Sequence, residues 1–171
     1  MTDSDLQQLL DKQSIVDRLC DYARGVDRID RALIGSVFHA GAELDYGAMF
    51  TGTADEFTDF ICVVHPSMEA TSHHLSNISV TVDGDRAGSE AYVLARLRSR
   101  GHRGTLNDTV LSGRYVDQWA RRDGQWRIDR RTYLHGMDTT QEAAPGYPTT
   151  GGRDTSDPSY AVLDLRPPGG A

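Results

Sequence analysis

The stretch TVLSGRYVDQWARRDGQWRIDRRTYLHGMD, residues 109–138, decides the fold of this chain. Apolar and polar residues alternate on both sides of Asp123-Gly124, a dipeptide that favours the tight turn of a β-hairpin. The preceding segment has the same arrangement: HHLSNISVTV, residues 73–82, leads through Asp83-Gly84-Asp85 into a returning strand at residues 86–98. Two long hairpins in succession predict an antiparallel sheet in the second half of the chain.

The first half has helical patterns instead. Residues 4–24 carry apolar side chains at spacings of three and four, and Gly25 is expected to interrupt that helix. A shorter helix should follow with Asp27 as its N-cap, and then a small hairpin within residues 42–52. Thr53 and Glu56 have capping-box spacing for a third helix, which Pro66 closes. Helices followed by hairpins predict the α+β fold class.

Composition limits the class of partner. The chain has 171 residues, enough for one domain with a full core, and its formal charge of −7 argues against nucleic acid or an anionic membrane surface as partner. No apolar run approaches the ~20 residues of a membrane span, and the N-terminus lacks the regions of a secretory signal. A cytoplasmic location is therefore expected. Cys20 and Cys62 are expected to pack rather than to form a disulfide framework.

Asp27 is the first candidate for chemistry. If the first helix continues for one more turn, Val16, Cys20, Ala23 and Asp27 share one face. A carboxylate on an apolar face is costly to bury unless a partner pairs with it. Asp27 is therefore either a helix cap or a buried carboxylate that orients a histidine, and one residue can do both.

His73 and His74 are the next candidates. Successive side chains of a strand point to opposite faces, so the two imidazoles cannot bind one metal ion from a regular strand. No HxH, HExxH or 2-His-1-carboxylate spacing is present, and no metal site is expected. The chain also lacks a GxSxG elbow, a P-loop and a GxGxxG motif, which leaves acid–base chemistry as the economical enzymatic option.

Strict alternation places some of these candidates on the wrong side of the sheet. Arg131 lies opposite Ile128 on its strand, and His73 lies opposite Ile78 and Val80. If the apolar residues fill the core, both polar residues point outward unless a bulge resets the alternation. An arginine on a strand is ordinarily solvated or paired across strands.

The order of elements carries a family resemblance. The motifs GVD at residues 25–27, TSHHLSN at 71–77 and RRDGQWRIDRRTYLHG at 121–136 resemble the SnoaL-like branch of the nuclear-transport-factor-two-like superfamily, over residues 5–137. The resemblance implies a cone-shaped, curved antiparallel or mixed sheet wrapped around a long N-terminal helix, with two further short helices. Residues 1–137 are then one SnoaL-like α+β barrel domain, and residues 138–171, which are rich in proline and glycine, are an irregular tail.

The resemblance also implies site residues. Asp27 after the Gly-Val pair, His73 and Arg131 match the catalytic residues of the dehydrochlorinase members. Tyr22 and Tyr46 match the pocket tyrosines of the bile acid dehydratase members. In those members the cationic residue aligns with His135 instead of Arg131. The implied catalytic residues are thus Asp27, His73 and Arg131, and the implied substrate-binding residues are Tyr22, Tyr46 and His135.

The implied function is a cofactor-independent lyase. It would catalyse a dehydratase-type β-elimination on a small apolar or polycyclic substrate, with an Asp–His general base and a homo-oligomeric assembly, dimer or trimer. An isomerase or cyclase in the same pocket remains an alternative. An epoxide hydrolase would need two carboxylates around a water, for which Glu43, Asp45 and Glu90 are candidates. A non-catalytic ligand-binding or subunit-like domain is the remaining interpretation.

Overall fold

The computed structural model describes residues 2–144 and 146–163. The helices are α1 (Asp3–Arg28), α2 (Arg31–Ser36), α3 (Ala54–Val64) and α4 (Pro158–Leu163), and a 3₁₀ turn (His65–Ser67) follows α3. The strands are β1 (Phe38–Asp45), β2 (Thr51–Thr53), β3 (Met68–Asp83), β4 (Arg86–Arg100), β5 (Leu106–Arg122) and β6 (Gln125–Ala143).

The six strands form one mixed sheet in the order β2-β1-β6-β5-β4-β3. β1 pairs with β6 in parallel, and the other neighbouring strands are antiparallel. The long helix α1 packs against this sheet, so the predicted α+β class with a long N-terminal helix and further short helices is confirmed. The sheet ends at β2 and β3 rather than closing into the barrel that the resemblance implies.

The start of the chain differs from the expectation at two residues. Gly25 does not end α1, which continues to Arg28. It lies where α2 crosses, and a Cβ on Gly25 would lie 3.0 Å from the side chain and backbone of Ile34. Asp27 does not cap α2: Asp30 does, by accepting the Leu33 backbone N–H at 2.9 Å. The carboxylate of Asp27 is therefore available for another partner. The predicted capping box of Thr53 and Glu56 at α3 is confirmed.

The buried stripe of α1 is offset by one residue from the predicted face. Ile15, Leu19, Tyr22 and Val26 are buried, whereas Cys20 is exposed. Cys62 is half-buried, and both cysteines are free thiols. Within the described part of the chain, no helix combines the length and the apolar character that crossing a membrane requires.

A bulge in β3 resets its alternation. Asn77 adopts a left-handed conformation with φ of 48°, and the pairing of β3 with β4 shifts register at this point. Leu75, before the bulge, and Ile78 and Val80, after it, all pack against the core. His73 shares the face of Leu75, so the bulge turns it inward.

A second bulge does the same in β6. Gln118 of β5 pairs with Arg130 and Trp119 pairs with Ile128, which leaves Asp129 as the extra residue. Arg131 therefore lies on the same face as Ile128, and its side chain is fully buried. The outward orientation given by strict alternation is wrong for both His73 and Arg131.

Part of the described chain after residue 137 has regular structure. β6 continues to Ala143 along β5, six residues past the end of the resemblance, and residues 158–163 form α4. Asp157, directly before α4, is buried. The prediction of an irregular tail therefore does not hold for residues 138–143 and 158–163, while residues 145 and 164–171 of the predicted tail lie outside the described residues.

Candidate active site

A cavity of about 390 Å³ lies between α1, α3 and the inner face of the sheet. Most of its wall is apolar and includes Val26, Phe57, Phe60 and Ile61. The polar lining groups are three histidines and four tyrosines: His65, His73, His135, Tyr22, Tyr46, Tyr115 and Tyr133. A volume of this size suits a small-molecule ligand that is mostly buried when bound.

Asp27 and His73 meet at the wall of this cavity. Oδ1 of Asp27 lies 2.7 Å from Nδ1 of His73, and Oδ2 accepts the backbone N–H of His73 at 2.9 Å. The two side chains are 14% and 10% exposed. Burial raises the pKa of the Asp27 carboxyl, but the hydrogen bonds from His73 outweigh burial and hold the pKa below its usual value. An ionised Asp27 accepts Nδ1–H, which makes Nε2 the unprotonated nitrogen of a neutral His73.

Tyr22 and Tyr46 form a hydroxyl pair in the same cavity. Their oxygen atoms lie 2.7 Å apart, and both side chains are buried. Tyr46 stacks between Phe57 and Tyr133, with ring centroids 4.5 and 5.5 Å away. Burial raises the pKa of both tyrosines, so both hydroxyls stay protonated at neutral pH. Because one hydroxyl donates to the other, the pair offers one free, neutral hydrogen-bond donor in an apolar wall.

Arg131 lies behind this wall rather than on it. Its Nε and Nη2 donate to the two carboxylate oxygens of Asp117 at 2.7 and 2.8 Å. The guanidinium also lies over the rings of Tyr22 and Tyr115, 4.2 and 4.1 Å from their centroids. Asp117 stands opposite Arg131 across the two strands and engages the cation, so Arg131 does not reach the cavity directly. Nothing in the sequence pattern singled out Asp117.

His135 lies on the cavity wall toward the solvent side. Its Nδ1 is 3.3 Å from the Tyr133 hydroxyl, its Nε2 is 3.1 Å from Asp138, and the side chain is half-exposed. The structure thus brings Asp27 and His73 into contact and Tyr22 and Tyr46 into contact. His135 contacts neither pair.

The carboxylates considered for epoxide opening lie away from the cavity. Glu43 is exposed near Arg130, and Glu90 pairs with Arg114. Asp45 accepts the Gly47 backbone N–H in the turn after β1. Among the described residues, no three His, Cys, Asp or Glu side chains group as a metal site requires.

His65 is a cavity residue that the sequence analysis missed. Its side chain is 6% exposed, and its ring stacks on that of His73 with centroids 6.2 Å apart and planes 14° apart. Burial first, and then the nearby charges of His73 and Arg153, lower the pKa of His65 from 6.5 to about 4. His65 is therefore neutral at pH 7. Phe57, Ile61 and His65 recur every four residues, and this spacing was the available signal.

The SnoaL-like domain family matches residues 7–132, which is most of the chain, and the chain therefore belongs to this family. An uncharacterized protein of Mycobacterium tuberculosis (strain H37Rv) is 28% identical over 127 residues, which are 72% of this chain and 84% of that protein. The resemblance stated from the motifs is thereby confirmed.

Solved structures of other proteins resemble this chain in fold. A candidate scytalone dehydratase from Novosphingobium aromaticivorans has a TM-score of 0.70 and 27% identity, and the match covers 88% of this chain and 98% of that chain. A hexachlorocyclohexane dehydrochlorinase from Novosphingobium barchaimii has a TM-score of 0.71 and 22% identity, with 85% and 99% covered. The second likeness shows the shared fold alone.

Proposed function

We propose that this protein is a cofactor-independent lyase that catalyses a dehydration-type β-elimination on a small, neutral, apolar or polycyclic substrate. The observation that carries the proposal is the hydrogen-bonded Asp27–His73 pair on the wall of a largely apolar cavity of about 390 Å³. The name of one solved relative, a candidate scytalone dehydratase, refers to an elimination and supports the same reaction class.

His73 acts as the general base. The ionised Asp27 holds the Nδ1–H tautomer through Oδ1 and fixes the strand through the His73 backbone N–H. The unprotonated Nε2 removes a proton from the carbon next to a carbonyl group of the substrate. A positioned base of this kind contributes ~10²–10⁴-fold in rate.

The electron pair of the broken C–H bond moves into an enolate. Of the paired hydroxyls of Tyr22 and Tyr46, one donates its proton to the other, and the second donates a hydrogen bond to the enolate oxygen. The Arg131 cation behind the Tyr22 ring favours negative charge there. The enolate then expels the β-hydroxyl group, which leaves as water with the proton that His73 removed. One C–H and one C–O bond break, one C=C bond forms, and His73 returns to its neutral state.

The cavity wall limits the substrate. The lining includes neither lysine nor arginine among the described residues, which favours a neutral molecule over an anion. Glu43, Asp45 and Glu90 do not line the cavity, so no observation favours epoxide opening. Isomerisation would use the same base, with the proton returned to a different carbon. A dimer or trimer stays a prediction, and light scattering of the purified chain would test it.

The test is a screen of β-hydroxy ketones of graded size, monitored by the ultraviolet absorbance of the conjugated ketone product. His73→Ala should lower kcat by ~10²–10⁴-fold and leave the fold intact. His74→Ala is the matched control, because His74 is exposed on the other face of the same strand and contacts Ser72.

Each outcome decides between the functions. Turnover that needs His73 and not His74 supports the lyase. Product formation that survives in His73→Ala refutes the proposed base. Ligands that bind in the cavity and are recovered unchanged across the screen would identify a binding module instead.

A further inference from the structure

A segment outside the matched family domain reaches the Asp27–His73 pair. Residues 151–163, here called the strap, bring Arg153 against the connection from α3 to β3. Nη1 of Arg153 donates to the backbone carbonyl of His65 at 3.0 Å and to that of Met68. Nη2 lies 3.4 Å from the Thr71 hydroxyl. One side chain thus fastens both ends of the connection.

The strap is fixed by contacts of its own to α1 and α2. Asp157 accepts the backbone N–H groups of Gly152 and Ser159 at 2.9 and 3.0 Å and lies 3.4 Å from Arg28. The Tyr160 hydroxyl donates to Asp30, the N-cap of α2, at 2.6 Å. The backbone around Arg153 is thus fixed by the strap, and its guanidinium is fixed by bonds to backbone carbonyls. Because the guanidinium donors are rigid and planar, Arg153 holds the connection in one position.

The connection that Arg153 braces surrounds the catalytic pair. Its first residue, His65, stacks on His73, and its last, Thr71, lies two positions before His73 on β3, where its side chain helps to lower the pKa of the Asp27 carboxyl. The His65 carbonyl accepts both the Met68 backbone N–H and Nη1 of Arg153, and the same Nη1 also donates to the carbonyl of Met68, the first residue of β3. Movement of the connection would therefore move both neighbours of the pair.

We propose that Arg153 is a positioning residue for the Asp27–His73 pair: its guanidinium fixes the 65–71 connection so that the His65 ring and the start of β3 hold the His73 imidazole against Asp27. The inference rests on the proposed function for its effect on turnover, and on geometry alone for its effect on the imidazoles.

The charge of Arg153 acts on the same groups. The charges near Arg153 are those of Asp27 and Arg28 on α1, and Arg28 in turn pairs with Asp157 of the strap, while His65 from the 3₁₀ turn is neutral. Burial lowers the pKa of Arg153 and the nearby Asp27 carboxylate raises it, so the two charges attract. Substitution of Arg153 therefore changes both charge and position, and two variants are needed to separate them.

The experiment records ¹H–¹⁵N spectra of the imidazole rings of the full chain through a pH series, which requires no substrate. Arg153→Met should raise the titration midpoint of His65 from about 4 toward 6.5 and shift the Nδ1 proton signal of His73. Arg153→Lys keeps the charge without the fork, so His65 should titrate as in wild type while the His73 signal still shifts. Arg122→Met, an exposed arginine paired with Asp129, is the charge-matched control and should change neither.

A His73 Nδ1 signal that is unchanged in Arg153→Met overturns the inference. If that variant does not fold, Thr71→Val tests the same link from the side of the connection, because it removes the hydroxyl that Nη2 of Arg153 contacts: a shifted His73 signal supports the inference, and an unchanged one overturns it.

With a substrate in hand, Arg153→Met should lower kcat roughly 10- to 100-fold with little change in KM, since ~1 Å of misplacement costs up to ~10²-fold. Arg153→Lys should recover part of the loss. Absence of turnover by wild type would refute the proposed function while the imidazole spectra still decide the role of Arg153.

Discussion

Acidification should destabilise this protein through His65. The pKa of His65 is about 4 in the folded chain, because the ring is buried beside His73 and Arg153, and 6.5 is its ordinary value. Between these two values the unfolded chain binds a proton that the folded chain does not bind. The contribution of His65 to the free energy of unfolding is therefore fully present above pH 6.5 and is lost as the pH falls toward 4. At ~1.4 kcal/mol per pKa unit, the loss is ~3 kcal/mol.

The assay is urea denaturation at half-unit pH steps from 7 to 4 on wild type and His65→Gln. Other carboxylates and histidines contribute equally to both proteins, so the difference between their slopes isolates His65. His65→Gln should lose ~3 kcal/mol less than wild type over this window. His102→Gln, at an exposed histidine, should follow wild type. Parallel curves for wild type and His65→Gln would show that His65 is not held neutral and would refute the reasoning.

Three further predictions concern the framework of the site. Asp117→Asn leaves the buried Arg131 cation without its charged partner and should lower the free energy of unfolding by about 3–5 kcal/mol in urea; a loss under about 1 kcal/mol would contradict it. Asn77→Val forces a β-branched residue into φ of 48° and should cost about 1–3 kcal/mol by calorimetry, whereas Asn77→Gly should be tolerated. Gly25→Ala should lower the free energy of unfolding by about 1–3 kcal/mol, because the added Cβ meets α2. Gly35→Ala is the control, since its Cβ meets nothing within 4 Å, and equal melting temperatures for the two variants would refute the contact at Gly25.

Local patterns predicted most of the elements before residue 138. The alternation and the turn at Asp123-Gly124 predicted the last hairpin, and both turn residues adopt positive φ, 51° and 73°. The capping box at Thr53 was likewise readable, because a cap depends on residues within one turn. The class α+β follows from the order of such elements and needs no knowledge of long-range contacts.

The site depends on what local patterns do not encode. Alternation alone turned His73 and Arg131 outward, and only the bulges at Asn77 and Asp129 turn them inward. A bulge is set by the pairing of two strands, so one strand read alone does not locate it. Arg153 escaped notice for a related reason: its partners lie more than 80 positions earlier in the chain.

The predicted role of Asp27 as a helix cap shows a different limit. Asp27 and Asp30 are both plausible caps by composition, and the choice depended on where α1 ends. The end of α1 was misplaced because Gly25 was interpreted as a breaker, whereas it is a contact point for α2. A glycine that ends a helix and a glycine at a helix–helix contact look the same in the sequence, and only the packing of the folded chain distinguishes the two roles.

The bulge at Asn77 divides β3 into two parts in which the alternation of inward- and outward-facing side chains is offset by one residue. The residues after it, Ile78 and Val80, face the core in one part, and those before it, His73 and Leu75, face inward in the other. Loss of this single residue would move every side chain on one side of it to the opposite face. The orientation of His73 relative to the core-facing residues after the bulge therefore depends on one position. A one-residue insertion or deletion there can turn His73 into or out of the cavity while the sequence on both sides stays the same.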